Sequence, residues 1–328
     1  MKLCNCRLIT LSLILAIAFF SCKKDKVSIQ YHAVNTGVSS AIYKIKQWSA
    51  DTLYICGGND SSGFILKSTD AGNSWQNFQS NFWEKILDLD FSGDKLLIAA
   101  SQHINFFKST DKGLTWKLIT PPAGQYPLSA YAANMYSIDI VNDSVGFACG
   151  GENFQQGFIY RTADGGETWL LTNKNHEMRS VLMSDAMNGF ASGYGVIYRT
   201  ADGGLNWNIT DGDDEFYTGL CVSNNQKVFT SGFNGGVKQG AFGSDSWNTK
   251  LKSNGVVKRI HFNCIHFYNA MVGVAAGTDG VIYITTDGGT NWMEGQAFDH
   301  VLINTVLLLS VNDGLAAGND GKLFHFSF

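Results

Sequence analysis

The sequence predicts an all-β fold, a single β-propeller of seven four-stranded blades. Three observations carry this: five near-copies of one eight-residue pattern, a constant frame of short apolar segments around each copy, and a last repeat that stops one strand short. The copies are STDAGNSW (68–75), STDKGLTW (109–116), TADGGETW (162–169), TADGGLNW (200–207) and TTDGGTNW (285–292). They share Ser/Thr, any residue, Asp, any, Gly, any, Ser/Thr/Asn and Trp. A sixth copy, FGSDSW (242–247), keeps Trp247 and loses the earlier Ser/Thr and Asp positions. The six tryptophans are 41, 53, 38, 40 and 45 residues apart. Self-similarity at a period of about 20–50 residues marks a repeat architecture.

The frame supplies the strands. Upstream of each copy runs an apolar first strand such as 86–91, 138–141 or 181–184, then a short polar loop (SDAMNG 184–189, YNAMVG 268–273). A small-residue strand follows, GFASG (189–193) or GVAAG (273–277), then an alternating strand, VIYRT (196–200) or VIYIT (281–285). The repeated pattern turns the chain into a fourth strand opened by the Trp. Four short strands in about 42 residues form one propeller blade.

Each residue of the pattern has a structural job. The Asp carboxylate and the Ser/Thr hydroxyl bond backbone groups inside a tight turn, and the Gly supplies positive φ without steric cost. The Trp buries its ring between blades. Asp70, Asp111, Asp164, Asp202 and Asp287, with Trp75, Trp116, Trp169, Trp207 and Trp292, are therefore expected to be structural rather than catalytic.

The seventh repeat, 303–328, reproduces three strands and ends. Residues 29–37 (IQYHAVNTG), with Tyr31 in the Trp slot, resemble the missing fourth strand. Pairing both termini in one blade removes an open sheet edge. Length alone allows two domains in 328 residues, but the repeats favour one, spanning 29–328.

The N-terminus carries a different signal. Lys2 and Arg7 precede an apolar run from Leu8 to Phe20, too short to cross the ~30 Å hydrocarbon core of a bilayer as a helix. It reads as a signal-peptide core over residues 1–21. Ser21 and Cys22, followed by Lys23-Lys24-Asp25-Lys26, resemble a lipobox in which the Cys22 thiol is lipidated, with 22–28 as a polar tether. Phe19 and Phe20 depart from the usual aliphatic-then-small order before it. The SCKKD string resembles lipoproteins of the Bacteroides lineage. The expectation is an exported chain held to the cell envelope, and so to the membrane, through Cys22.

Losing Lys2 and Arg7 with the leader takes the 24 basic residues to 22 against 28 acidic ones, a net charge of −6. With no Lys/Arg cluster, nucleic acid is excluded as partner. Thirty-six glycines and 13% aromatic residues suit a turn-rich β core. Of the cysteines after Cys22, Cys56 and Cys149 fill a slot that other repeats give to Ala or Ser, so they are expected to be small core residues. Cys221 and Cys264 fall on first strands of neighbouring repeats, where a disulfide is conceivable in an oxidising compartment. No histidine pair or Cys spacing fits a metal motif, and no cofactor is expected. The acidic run 211–215 (DGDDE) lacks the residue order of a known Ca²⁺ loop and is expected to be a solvated turn.

With the frame GxAxG…GxIYRTxDGGxTW in place, the chain resembles the Asp-box propellers of the photosystem II stability/assembly factor family. That resemblance covers essentially the whole mature chain. It implies a single-domain, seven-bladed, non-enzymatic binder of other proteins, here an envelope scaffold. The family's basic patch does not carry over to a chain with five arginines, of which Arg161 and Arg199 lead into the turns. The rival resemblance is to sialidases, which share Asp-boxes but need three convergent arginines, and only Arg179 and Arg259 remain unassigned. Other Asp-box glycosidases place paired carboxylates in a cleft between two propellers, and one propeller is expected here. The chain is accordingly expected not to be an enzyme. A third reading, glycan or small-ligand binding, would use the loop aromatics Tyr126, Tyr131, Tyr194, Tyr217 and Phe233.

Blade topology predicts which face binds. First-to-second and third-to-fourth connections share one face, crowded by near-identical repeat turns; the other connections, which vary, lie opposite. The variable loops are 59–64, 153–158, 175–178, 211–217, 253–259 and, longest, 121–135, which holds all three prolines. The partner-binding candidates are Tyr126, Tyr131, Arg179, Tyr217 and Arg259. The tether starts on the repeat-turn face, so that face is expected to lie near the membrane.

Overall fold

The computed structural model describes residues 26–93, 96–121, 133–212, 215–224, 226–252, 260–295 and 298–328. Their strands form seven four-stranded antiparallel sheets. In six of them the strands follow chain order: blade 1 spans 41–82, blade 2 86–119, blade 3 134–174, blade 4 178–211, blade 5 217–251 and blade 6 262–294. Blade 7 takes three strands from 303–327 and its outer strand, Gln30–Ala33, from the other end of the chain. Gln30 pairs with Ser327 and Tyr31 with Phe326. Tyr31 sets its ring edge-on to Phe298 and Phe324, and its hydroxyl donates to Asp299 at 2.8 Å. The fourth strand is shorter than the nine residues expected, because the chain leaves the sheet after Ala33 and Thr36 anchors instead to the Gly321 carbonyl.

The core is a series of layers between blades rather than one central mass. Ile98 and Phe106 of blade 2 pack with Ile138, Phe158 and Trp169 of blade 3, and Val274 and Ile282 of blade 6 pack with Val306 and Phe324 of blade 7. Second strands such as Leu53–Asn59 and Gly146–Glu152 are buried along almost their whole length, which explains why Cys56 and Cys149 sit in a small-residue slot. Fourth strands, such as Asn208–Asp211, are mostly exposed.

The repeat turns share one hydrogen-bond net. In blade 3 the Thr162 hydroxyl donates to Asp164 (2.8 Å) and accepts from Gly166 N–H (2.8 Å), while Asp164 accepts from Thr168 N–H (2.9 Å) and its hydroxyl (2.6 Å). The same four bonds recur around Asp70, Asp111, Asp202 and Asp287, with Ser74, Thr115, Asn206 and Asn291 in the Thr168 role. Gly166 has φ +83°, and a Cβ there would lie 2.5 Å from Ile98 of blade 2. Only a residue without a side chain lets the turn abut the preceding blade. Blade 5, which lost the pattern, ties Trp247 differently: its indole N–H donates to Thr210 of blade 4 at 3.1 Å.

Candidate binding site at the channel mouth

The seven innermost strands line a central cavity of about 420 Å³. Each carries a register irregularity at the same place, one residue after a buried anchor. The anchors are Ile42, Ile86, Met135, Met178, Tyr217, Phe262 and Ile303, all 1% exposed or less. A bulge inserts one residue and re-aims it. The residues so re-aimed are Tyr43, Leu87, Tyr136, Arg179, Thr218, Asn263 and Asn304, and all seven line the cavity. Because each inner strand begins at the face opposite the repeat turns, this ring sits at the variable-loop mouth.

That frame corrects one expectation. Tyr217 is an anchor and lies in the core with Phe190, Ile197 and Val228, so its side chain is not available to a partner. Phe216, the residue before it, is buried too, and its ring is the one that reaches Arg179.

Arg179 is held by three groups. Its Nη2 lies 2.8 Å from Glu177 Oε1, and its guanidinium lies 3.8 Å from the Tyr136 ring centroid and 5.0 Å from that of Phe216. Glu177 is buried, and its other oxygen accepts the Phe154 N–H at 2.8 Å, so one carboxylate fixes both the arginine and the loop of blade 3. Asn153 and Phe154 in that loop both have positive φ. This conformation costs a non-glycine residue energy, and the surrounding structure must enforce it. Buried Glu84 plays the same part in blade 2, accepting from Ser101, His103 and Asn105.

The result is a ridge of rings across blades 3 to 6. Phe154 meets Tyr194 (5.2 Å) and Phe216 (6.0 Å), Tyr194 meets Phe216 (5.6 Å), Phe216 meets Phe233 (5.6 Å), and Phe233 stacks on His261 at 3.7 Å. Phe154, Tyr194 and Phe233 are exposed. Tyr194 and Phe233 were legible as loop aromatics. Phe154, Phe216 and His261 were not, because only the tertiary fold brings them beside Arg179. Tyr126, Tyr131 and Arg259 lie outside the described residues, as does Cys22.

Below the mouth the channel is polar for a structural reason. An innermost strand is a sheet edge, and its inward N–H groups have no strand partner. Side chains of the preceding blade accept many of them: Ser137 from Val181, Ser180 from Leu220, Cys221 Sγ from Phe267, His266 Nδ1 from Leu308 and Thr305 from Ile45. Asp88 and Asp90 accept from Ile138 and Ile140 of blade 3, and Asp139 from Met183 of blade 4. Lys44 and Lys46 pair with Asp88 (3.4 Å) and Asp90 (3.2 Å).

The titrations follow. Burial would pull Lys46 down, but the carboxylates of Asp90, Asp88 and Asp139 outweigh it and hold the ammonium above its usual value. Burial first, then Asp90, push the Asp139 carboxyl up, against Lys46. Burial, then Lys44 and Lys46, bring His266 down to about 4, so it is a neutral acceptor.

Cys56, Cys149, Cys221 and Cys264 are all free thiols. Cys221 and Cys264 form no disulfide; each sulfur is engaged with backbone, and burial pushes both thiols up to about 12. In the acidic run, Asp211 pairs with Lys238 at 2.6 Å and Glu215 accepts from Asn234. Among the described residues no group of three or more His, Cys, Asp or Glu is placed to hold a metal ion.

No family model and no curated protein matches the chain. Solved structures do. The chain is similar to YCF48 bound to a D1 peptide, with a TM-score of 0.69 at 15% identity over 91% of this chain and 97% of that one. It is likewise similar to YCF48 from Cyanidioschyzon merolae, with a TM-score of 0.68 at 16% identity over 90% and 98%. A GH74 xyloglucanase from Xanthomonas campestris matches with a TM-score of 0.65 at 11% identity, over 90% of this chain but 53% of the enzyme. At these identities the likeness is one of fold, a seven-bladed propeller.

Proposed function

We propose that this chain is a non-enzymatic protein-binding propeller, an assembly-factor-like scaffold held at the cell envelope by lipid on Cys22, which takes its partner on the variable-loop face. The observation that carries the reading is the mouth itself. A buttressed arginine sits at the inner end of a ridge of exposed rings. Aromatic residues and arginine dominate the energetics of protein interfaces. The likeness to a YCF48 that binds a D1 peptide supports peptide recognition by a propeller of this shape.

Hydrolysis fits less well. The channel carboxylates Asp88, Asp90 and Asp139 are each occupied by backbone N–H groups, two of them also by lysines, and the xyloglucanase match spans about half of that enzyme. Glycan binding, the other reading, would stack sugars on ring faces. His261 already covers one face of Phe233.

The test is affinity capture from envelope extracts with the full chain and with a Phe154→Ala/Phe233→Ala double variant. One protein complex retained by the parent and lost by the variant is the expected result. Equal recovery by both, or retention on a polysaccharide array in its place, would refute it. Cys22→Ser should release the chain from membranes, and a variant that survives a carbonate wash would refute the anchor.

A further inference from the structure

We infer that the repeat-turn face of blades 4, 6 and 7 rests on a lipid surface, with Met187, Met271 and Val311 dipping into its interface. The inference builds on lipidation of Cys22 and adds a surface to it.

Three loops between first and second strands end in a large apolar residue. Met187, Met271 and Val311 are each half exposed, and Leu205 on the repeat turn of blade 4 is more so. Local bonds hold these tips outward rather than folded over the core. Asp185 Oδ1 accepts from the N–H groups of Met187 (2.7 Å) and Asn188 (2.8 Å), and Asn269 Oδ1 accepts from Met271 and Val272 (both 2.8 Å). The tips belong to the repeat-turn face, because the carbonyls of Met187 and Met271 accept from Gly203 and Gly288 of the adjoining turns. The loop does not require an apolar residue where Met187 and Met271 sit: blades 1 and 3 place Asp51 and Ser144 there, blade 5 places Gln226 and blade 7 places Asn312. A single exposed methionine needs no explanation. Two at one structural position, with Val311 one residue before that position in the next blade, do.

What places lipid beneath them is where the described chain begins. Lys26 bridges Glu294 on the outer strand of blade 6, and Val27 N–H donates to the Glu294 carbonyl at 3.1 Å. Glu294 lies two residues after Trp292, just past the repeat turn of blade 6. Cys22 is then four residues away, at most about 14 Å of extended chain. Sequence alone put the first pinned residue at Ile29, and the structure shortens the leash. Acyl chains on Cys22 must enter the bilayer between blades 6 and 7 or close beside them, where Met271 and Val311 are the nearest apolar tips. Lys26, held beside that point, carries the charge that suits the phosphate of headgroups. Apolar side chains of an interfacial element bury about 5–10 Å into the headgroup boundary, a depth that loop tips reach without displacing the blades. The carboxylates on this face do not oppose it strongly, since Asp202 and Asp287 are bonded inside their own turns.

The test is photocrosslinking in the intact envelope, with benzoyl-phenylalanine placed in the full chain at position 187, 271 or 311. Positions 154 and 233 on the opposite face serve as controls. The inference expects adducts with the mass of a phospholipid at 187, 271 and 311 and none at 154 or 233. Adducts to protein, to a second copy of this chain, or to nothing, in a chain whose Cys22 carries acyl groups by mass spectrometry, overturn the surface alone. A Cys22 without acyl groups overturns the anchor, and the surface with it.

Discussion

Replacing Trp169 with alanine tests the packing between blades most directly. The ring is 4% exposed and stacks on Phe106 of blade 2, with centroids 4.1 Å apart and planes 6° from parallel. A buried Trp removes about 150–250 Å² from water, worth roughly 4–6 kcal/mol gross at ~25 cal/mol per Å². Stacking adds about 0.5–1.5 kcal/mol. One feature lowers the figure: Trp169 Nε1 is buried with no hydrogen-bond partner among the described residues, and removing an unsatisfied donor relieves about 1–3 kcal/mol. Alanine keeps part of the contact, so the expected loss is about 3–4 kcal/mol, within the range for large aromatic truncations. For some 300 residues, an unfolding entropy of ~2.1 cal/mol/K per residue converts this to a fall in Tm of about 5–6 °C. Near-UV circular dichroism during thermal unfolding reads it. Trp75, half-buried and bonded to the Gly72 carbonyl, is the control and should cost less when replaced. An unchanged Tm for Trp169→Ala would refute the account of how blades cohere.

Other outcomes follow from the same geometry. At the Asp164 turn, burial is the largest single influence and raises the carboxyl, but the Thr168 hydroxyl and N–H and the Thr162 hydroxyl together outweigh it and lower the value to about 2; Ser74 and Thr115 bring Asp70 and Asp111 to about the same value. A depressed folded pKa stabilises fully above the unfolded value of about 3.9 and loses that contribution as pH falls through about 2. Asp164→Ala should therefore lower Tm at pH 7, by less than Trp169→Ala, and the gap should close near pH 2; a constant gap would exclude this origin. Asp139 has the opposite sign: its raised folded pKa means stability falls as pH rises above about 4. Asp139→Asn keeps an acceptor for Met183 N–H and should raise Tm at pH 8 but not at pH 4, with equal shifts refuting the assignment. Arg179→Ala leaves buried Glu177 without its cation and should lower both partner capture and Tm, whereas Phe154→Ala should lower capture alone. Differential scanning fluorimetry beside the capture assay separates the two, and a Phe154→Ala chain that melts early would contradict the exposed placement of that ring.

Much of the fold was legible because a propeller blade is a local object. Its turn chemistry, strand alternation and small-residue second strand repeat within about 42 residues, so Asp164, Gly166 and Trp169 declare their roles by recurrence. Closure was legible too, since a repeat lacking its fourth strand and a leading segment with Tyr31 in the Trp slot complete one another. The binding mouth was not, because it depends on which residue of each inner strand is bulged. The irregularity between Tyr217 and Gly219 leaves no mark in the letters, and a loop-edge tyrosine was read as a surface residue when it is the buried anchor beside it. Nor could spacing show that Glu177 joins Arg179 to the N–H of Phe154, 23 residues back, that Cys221 is an acceptor for the next blade rather than a thiol to pair, or that His266 accepts in the same way. The unit and the number of units are written in the residues, since those rest on interactions within one blade. Which side chains meet across blades emerges only on closing the ring, because it brings together residues about one repeat apart whose identities carry no common pattern.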